Sequence, residues 1–123
     1  MRTRLKVYFD GGYRGNAMET AVVAAGQVTI ARGLGPGSSS DAEWLALIRA
    51  LTIAQSLGSD FVLLGDSADV VAKANGLIRC RGSCVGHLRE FRTLAGGRDA
   101  PHIRYIKRSQ NLAGIALARQ HPR

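Results

Sequence analysis

The chain has 123 residues, 46% of them hydrophobic, and its 17 Lys plus Arg against 9 Asp plus Glu give a formal net charge of +8. That length and apolar fraction make one compact domain over residues 1–123 and exclude a disordered chain, and no apolar run reaches the ~20 residues of a membrane span. The charge is uneven, because residues 79–123 hold ten Lys/Arg and two acids and so account for the whole excess. The expected partner is therefore a polyanion, a nucleic acid backbone above all, while no membrane and no protein partner is implied.

Residues 4–9 alternate polar and apolar with period two and run into Asp10-Gly11-Gly12, which predicts a first strand ending in a turn. Apolar runs over 20–25 and 27–32 flank Gly26-Gln27 and predict a hairpin. After the breaker run 33–40, Ala42, Leu45, Ile48, Leu51, Ile53 and Leu57 recur at helical spacing, so a long helix is expected over 41–57, closed by Gly58. Phe61–Gly65 is wholly apolar, as in a buried parallel strand, and precedes a short helix over Ala68–Asn75 stopped by Gly76. A basic linker covers 77–83, a helix follows over Val85–Leu94, and His102–Lys107 alternates as a last strand before a helix over Asn111–Arg119. The order predicts an α/β fold with a mixed five-stranded sheet, three antiparallel strands then two parallel ones, flanked by helices.

Met1–Lys6 alternates charged with apolar residues where a secretory leader would be continuously apolar, and the only cysteines are Cys80 and Cys84. A cytoplasmic protein with reduced thiols is the expectation. Cys80, Cys84 and His87 make three zinc-type ligands without a fourth, so packing of Cys84 with Val85 and Leu88 is preferred to a metal site. His102 and His121 fall near chain breaks and read as surface histidines, His121 being a site candidate if the tail folds back. Trp44 reads as core or pocket wall.

Three acids fall at element ends: Asp10, Glu43 and Asp66. Taken singly, each has an ordinary reading. Ser40-Asp-Ala-Glu43 fits a capping box, Asp66 or Ser67 fits a helix cap, and Asp10-Gly-Gly fits a turn. Taken together, parallel neighbouring first and fourth strands would set Asp10 beside Asp66, with Glu43 brought over them from the helix start. Clustered carboxylates repel unless cations hold them, and hard oxygen ligands suit Mg²⁺ or Mn²⁺ in phosphodiester chemistry.

Four segments, Val7-Tyr-Phe-Asp10-Gly-Gly-Tyr-Arg-Gly15-Asn16, Ser38-Ser-Ser-Asp-Ala42-Glu43-Trp44-Leu-Ala-Leu47, Leu63-Leu-Gly-Asp66-Ser67-Ala-Asp-Val-Val71 and Arg108-Ser-Gln-Asn111-Leu-Ala-Gly-Ile-Ala-Leu117-Ala118, carry a likeness to a known family. Through them the chain resembles ribonuclease H over nearly its whole length. The resemblance implies a ribonuclease H-like fold and a nuclease, a hydrolase acting as an endonuclease on the RNA strand of an RNA–DNA hybrid. It implies two Mg²⁺ or Mn²⁺ ions per site, bridged by Asp10 and held by Glu43 and Asp66, and products with a 5′-phosphate and a 3′-hydroxyl. It assigns RNA-strand contacts to Gly11, Gly12, Asn16, Ser39 and Ser40. Direct passage from residues 70–76 into the basic linker resembles the short members without a basic handle helix, with Arg79 and Arg81 supplying positive surface; Lys107 and Arg108 are further expected backbone contacts.

The family places a fourth Asp on the last helix, four residues after an Asn. Counting from Asn111 gives Ile115, with Gly114 one residue earlier, and neither side chain binds a metal. A catalytically weakened or inactive binding module of the same fold is therefore the alternative reading, and a resolvase or exonuclease on this fold is the third.

Overall fold

A computed structural model describes residues 4–58, 60–97 and 101–121; Met1–Thr3 of the amino-terminal segment and Arg98, Asp99 and Arg123 of the basic third lie outside them. The strands are β1 (Leu5–Arg14), β2 (Ala17–Ala24), β3 (Gln27–Ala31), β4 (Phe61–Gly65) and β5 (His102–Tyr105). The helices are α1 (Ser39–Leu57), α2 (Ala68–Ala74), α3 (Cys84–Ala95) and α4 (Leu112–Ala118), the last preceded by a 3-10 turn at Arg108–Gln110. The sheet order is β3-β2-β1-β4-β5, with β1 antiparallel to β2, β2 antiparallel to β3, and both β1–β4 and β4–β5 parallel. This is the mixed five-stranded sheet expected from the sequence.

Period two divides β1 between the sheet's two faces. Val7 and Phe9 enter the larger core with Trp44, Leu47 and Leu51 of α1, Leu63 of β4, Val70 of α2 and Phe91 of α3. The opposite face is narrower. There Ala21 packs with Ala113 and Leu117 of α4, joined by the half-buried Tyr8, Val23 and Ile30. Asp10 alternates with Phe9 and therefore belongs to the α4 side.

Two strand boundaries differ from the sequence expectation. β1 does not stop at Asp10-Gly11-Gly12 but continues to Arg14, paired with β2 throughout. The chain reverses at Gly15-Asn16, both with positive φ of 62° and 63°, the geometry of a two-residue hairpin turn that suits the twist of its strands. The second hairpin turns at Ala25-Gly26, with φ of 51° and 76°, rather than at Gly26-Gln27, because Gln27 is already paired with Ala24.

The α1 cap also differs. Ser38, not Ser40, is the N-cap: its hydroxyl accepts from the Asp41 amide at 3.0 Å, and Asp41 Oδ2 accepts from the Ser38 amide at 3.1 Å. Three successive serines offer three possible frames, and the frame two residues earlier lets Asp41 do the capping. The Ser38 hydroxyl, then His87 at 3.0 Å, hold the Asp41 carboxyl below its usual range. Trp44 is fully buried and stacks on the His87 ring, centroids 6.2 Å apart, so it belongs to the core.

Ser67 rather than Asp66 caps α2. No helix stands between α2 and α3, where residues 75–83 are turn and coil. Cys80 and Cys84 are joined as a disulfide instead of the expected reduced thiols. Their spacing at the head of α3 brings the Cα atoms to 5.9 Å, within disulfide reach. Among the described residues no helix is long and apolar enough to cross a membrane.

Candidate active site

The parallel pairing of Tyr8 with Leu64 leaves β1 and β4 in phase at their carboxyl ends. Two residues further along stand Asp10, still within β1, and Asp66, one residue past the end of β4, so the two carboxylates emerge side by side. Glu43 joins them from the first turns of α1. One ligand oxygen from each of the three acids lies within 4.8 Å of the others.

Glu43 is free to reach the strand because the cap employs Asp41. Its Oε1 accepts from the Gly11 amide at 3.0 Å, and its Oε2 is buried with no hydrogen-bond partner. This approach needs glycine at position 11, since a Cβ there would overlap the Ala42 carbonyl. Gly11→Ala should therefore force α1 off β1, lowering stability by about 3 kcal/mol and moving Glu43 away from Asp10 and Asp66. Urea denaturation together with Mn²⁺ titration of the same variant checks both effects.

The cluster is electrostatically expensive without a cation. Burial, and then the neighbouring Asp10, push the Glu43 carboxyl up to about 9. Burial also raises Asp10; Asp66 adds to the rise, whereas hydrogen bonding with Glu43 and the charge of Arg108 oppose it. Burial and mutual repulsion thus favour the neutral carboxyl over the charged one where the three acids meet. A hard divalent cation would relieve that repulsion, and the unpartnered Glu43 oxygen supplies a free ligand atom, so the residues present fit such an ion.

Asn111 links this cluster to α4. It is fully buried, its side-chain amide donates to the Phe9 carbonyl at 3.0 Å and to Asp66 Oδ2 at 2.9 Å, and its oxygen caps α4 at the Ala113 amide. One turn on, a Cβ at Gly114 would lie 3.4 Å from Asp10 Oδ2 and 3.7 Å from Asp66 Oδ2. Ile115 lines the same cleft with its side chain partly exposed. No carboxylate enters from either position.

The cleft has a volume of about 750 Å³ and also exposes Gly12, Tyr13, Arg14, Ser39, Ser40 and Arg108. Gly11, Gly12, Ser39, Ser40 and Arg108 thus share the carboxylate cleft, whereas Asn16 occupies the β1–β2 turn outside its lining. Arg79 lines a separate groove of about 690 Å³ between the linker and α3, with Lys73, Arg89 and Arg92 over an apolar floor of Ile78, Val85 and Leu88. Arg81 and Lys107 are exposed but line neither. Arg92, one turn beyond Leu88, and Arg89 flank the apolar face of α3, and that adjacency was the available signal for this second basic surface. Arg14 and Tyr13 carried none, because the strand was expected to have ended before them.

A family profile described as reverse transcriptase-like matches residues 19–121. Among curated proteins, none matches the chain at a significant level. Among solved structures, ribonuclease H1 of the archaeon Halobacterium salinarum is similar at 29% identity, with 94% of each chain covered and a TM-score of 0.78. The N-terminal ribonuclease H domain of a Mycobacterium tuberculosis protein superposes at 22% identity and TM-score 0.73, covering 98% of this chain and all of that one. LC11 ribonuclease H1, isolated from compost and solved in complex with an RNA/DNA hybrid, superposes at 22% identity and TM-score 0.77 over 89% of each chain. With the profile spanning most of the sequence and the sheet order and helices in agreement, the chain belongs to the ribonuclease H family.

Proposed function

We propose that the chain is a divalent-metal-dependent endonuclease that cleaves the RNA strand of RNA–DNA hybrids. The observation that carries this reading is the convergence of Asp10, Glu43 and Asp66 from three separate elements at one end of the sheet. The family membership and a relative solved with an RNA/DNA hybrid support the substrate class.

In this reading Asp10, Glu43 and Asp66 would hold Mg²⁺ or Mn²⁺, which would supply a nucleophilic water and charge stabilisation for phosphodiester hydrolysis. The protein's own part is placement. The Gly11 amide fixes one Glu43 oxygen and leaves the other for a ligand, while Asn111 orients Asp66. Gly11 and Gly12 keep the floor low enough for a sugar-phosphate backbone, and the Ser39 and Ser40 hydroxyls are suited to the RNA 2′-hydroxyls. Arg108 meets phosphate at the cleft, and Arg79, Arg89 and Arg92 extend positive charge along the second groove.

Each lost phosphate contact should lower the slope of log affinity against log salt by about 0.9. Replacing Arg79, Arg89 and Arg92 together with Gln should flatten the slope accordingly, which fluorescence anisotropy on a labelled hybrid across a salt series measures.

Gly114 and Ile115 favour a second reading, a hybrid-binding module with weak turnover. If the cluster is short of one carboxylate, Mg²⁺, which demands near-ideal octahedral coordination, should support cleavage less well than Mn²⁺. Gly114→Asp or Ile115→Asp should then raise the Mg²⁺-supported rate by about tenfold, as expected for restoring one interaction of about 1.4 kcal/mol. Thermal melts must accompany the rates, since an added carboxylate without a cation destabilises. A parent as fast in Mg²⁺ as in Mn²⁺, with neither variant faster, would contradict the deficiency.

Labelled hybrid, duplex DNA, duplex RNA and single strands, each with Mg²⁺, Mn²⁺ or chelator, test the main reading. Cutting of the hybrid alone and only with metal supports it. A hybrid bound but uncut under every condition selects the binding module.

A further inference from the structure

Glu19, a buried carboxylate on the β2 strand that is 6% exposed, lines the carboxylate cleft together with His121, as the folded-back tail required, but is not one of the three clustered acids. It pairs in register with Gly12, two residues along β1 from Asp10, and so faces α4. Gly12 is in contact range of both neighbours: a Cβ there would lie 3.8 Å from Glu19 Oε2 and 3.5 Å from Leu117 of α4, ordinary van der Waals distances. Both carboxylate oxygens take Nε2 of His121, at 2.8 and 2.7 Å, and Arg32 lies 3.6 Å from Oε1. A carboxylate at this depth needs such partners, because burying it unpaired is costly.

His121 sits just past α4, and its amide is bonded to the Ala118 carbonyl at 3.1 Å. The imidazole therefore moves with the last turn of the helix. α4 is seven residues long and buries only Ala113 and Leu117, too little for a helix to persist by itself. Polar side chains fasten it at both ends, the buried Asn111 to Asp66 and β1 at the start, the half-buried His121 to Glu19 at the finish. Between these two attachments lies Gly114, whose backbone walls the Asp10 and Asp66 carboxylates.

We propose that Glu19 and His121 are positioning residues whose bond holds α4 against the carboxylate cluster, so that metal affinity and turnover depend on a contact made outside the cluster. The consequence for turnover rests on the nuclease reading above; the consequences for α4 and for metal binding do not. The imidazole acts here as a fixed donor and carries no proton to or from substrate.

The experiment compares the parent chain with His121→Ala, His121→Gln and Glu19→Gln. Amide hydrogen exchange is followed over residues 112–118, Mn²⁺ affinity is measured by calorimetry, and kcat and KM are measured on a hybrid. In His121→Ala, α4 should exchange about tenfold faster while α1 and β1 keep their protection, as local opening of one element predicts. Mn²⁺ should bind several-fold more weakly, and kcat should fall about tenfold with KM little changed, the pattern of a misplaced reacting group. His121→Gln should recover most of each loss, because its side-chain amide donates the same bond. Glu19→Gln, whose amide oxygen still accepts from the imidazole, should lose less than His121→Ala on every measure. Unchanged α4 exchange and Mn²⁺ affinity in His121→Ala would overturn the proposal. So would a His121→Gln enzyme as slow as His121→Ala with the acid limb of its pH profile displaced, which would assign proton transfer to the imidazole. A parent that cuts no hybrid would sink the nuclease reading, while exchange and Mn²⁺ binding would still decide the positioning role.

Discussion

Asp10→Asn should abolish cleavage of an RNA–DNA hybrid, with a fall in kcat of about a thousandfold or more, while circular dichroism and hybrid binding stay those of the parent. The carboxylate emerges beyond the apolar part of β1 and shares its end of the sheet with Glu43 and Asp66, so it supports no core packing. Asparagine keeps the shape and removes the charge. Burial and Asp66 already press the Asp10 carboxyl toward its neutral form, so the metal-free variant should melt at or above the parent's temperature. The expected rate loss is the scale seen when a group that stabilises transition-state charge is removed from a preorganised site. Steady-state cleavage and thermal melts of a single preparation check both halves, and full activity in the variant would remove Asp10 from the mechanism.

Glu43→Gln should change how stability depends on pH. The Glu43 carboxyl titrates near 4.5 when unfolded and is pushed up to about 9 in the fold, mainly by burial and then by Asp10. Between those values the folded chain keeps a proton that the unfolded chain gives up, so stability must fall as pH rises. The contribution is intact below about 4.5, declines through the neutral range, and is fully lost above about 9. At pH 7 the penalty is on the order of 3 kcal/mol before any relaxation of the cluster. Glu43→Gln removes it, so the metal-free variant should resist urea better than the parent at pH 7.5 and show a flatter profile. Mn²⁺ should stabilise the parent and do much less for the variant. Asp41 works in the opposite sense, because its lowered carboxyl stabilises above its unfolded value and loses that effect in acid. A parent whose metal-free stability is flat between pH 5 and pH 8, within the precision of denaturant extrapolation, would contradict the assigned burial of Glu43.

The convergence of Asp10 and Asp66 was legible because it depends only on strand order and on each acid following an apolar strand. Glu43 was legible as an acid near a helix start, but its ordinary explanation was misplaced. Ser38 and Asp41 form the capping box, which releases Glu43 from a capping duty that the spacing equally allowed. The length of β1 was hidden because Gly11-Gly12 reads as a turn in isolation. In the fold Gly11 is strand backbone that must lie close to α1, while the turn duty passes to Gly15-Asn16. Contacts set by tertiary packing left no local trace. Glu19 and His121 are 102 residues apart, and neither neighbourhood signals the other. The register of α4 was legible to within one residue: Asn111 identifies the start of the helix, but which of Gly114 and Ile115 stands over the carboxylates depends on how the helix meets β1.

The most direct test of the central claim is the chemistry of the new RNA ends. A hybrid labelled on its RNA strand is incubated with the chain and Mn²⁺, with a chelated control, and the fragments are resolved by mass. Hydrolysis by an activated water at the Asp10, Glu43 and Asp66 cluster predicts fragments bearing 5′-phosphate and 3′-hydroxyl ends, formed only when metal is present. Fragments ending in 2′,3′-cyclic phosphate, or cleavage that persists in chelator, would show that the RNA's own 2′-hydroxyl attacks and that the carboxylate cluster does not carry the reaction.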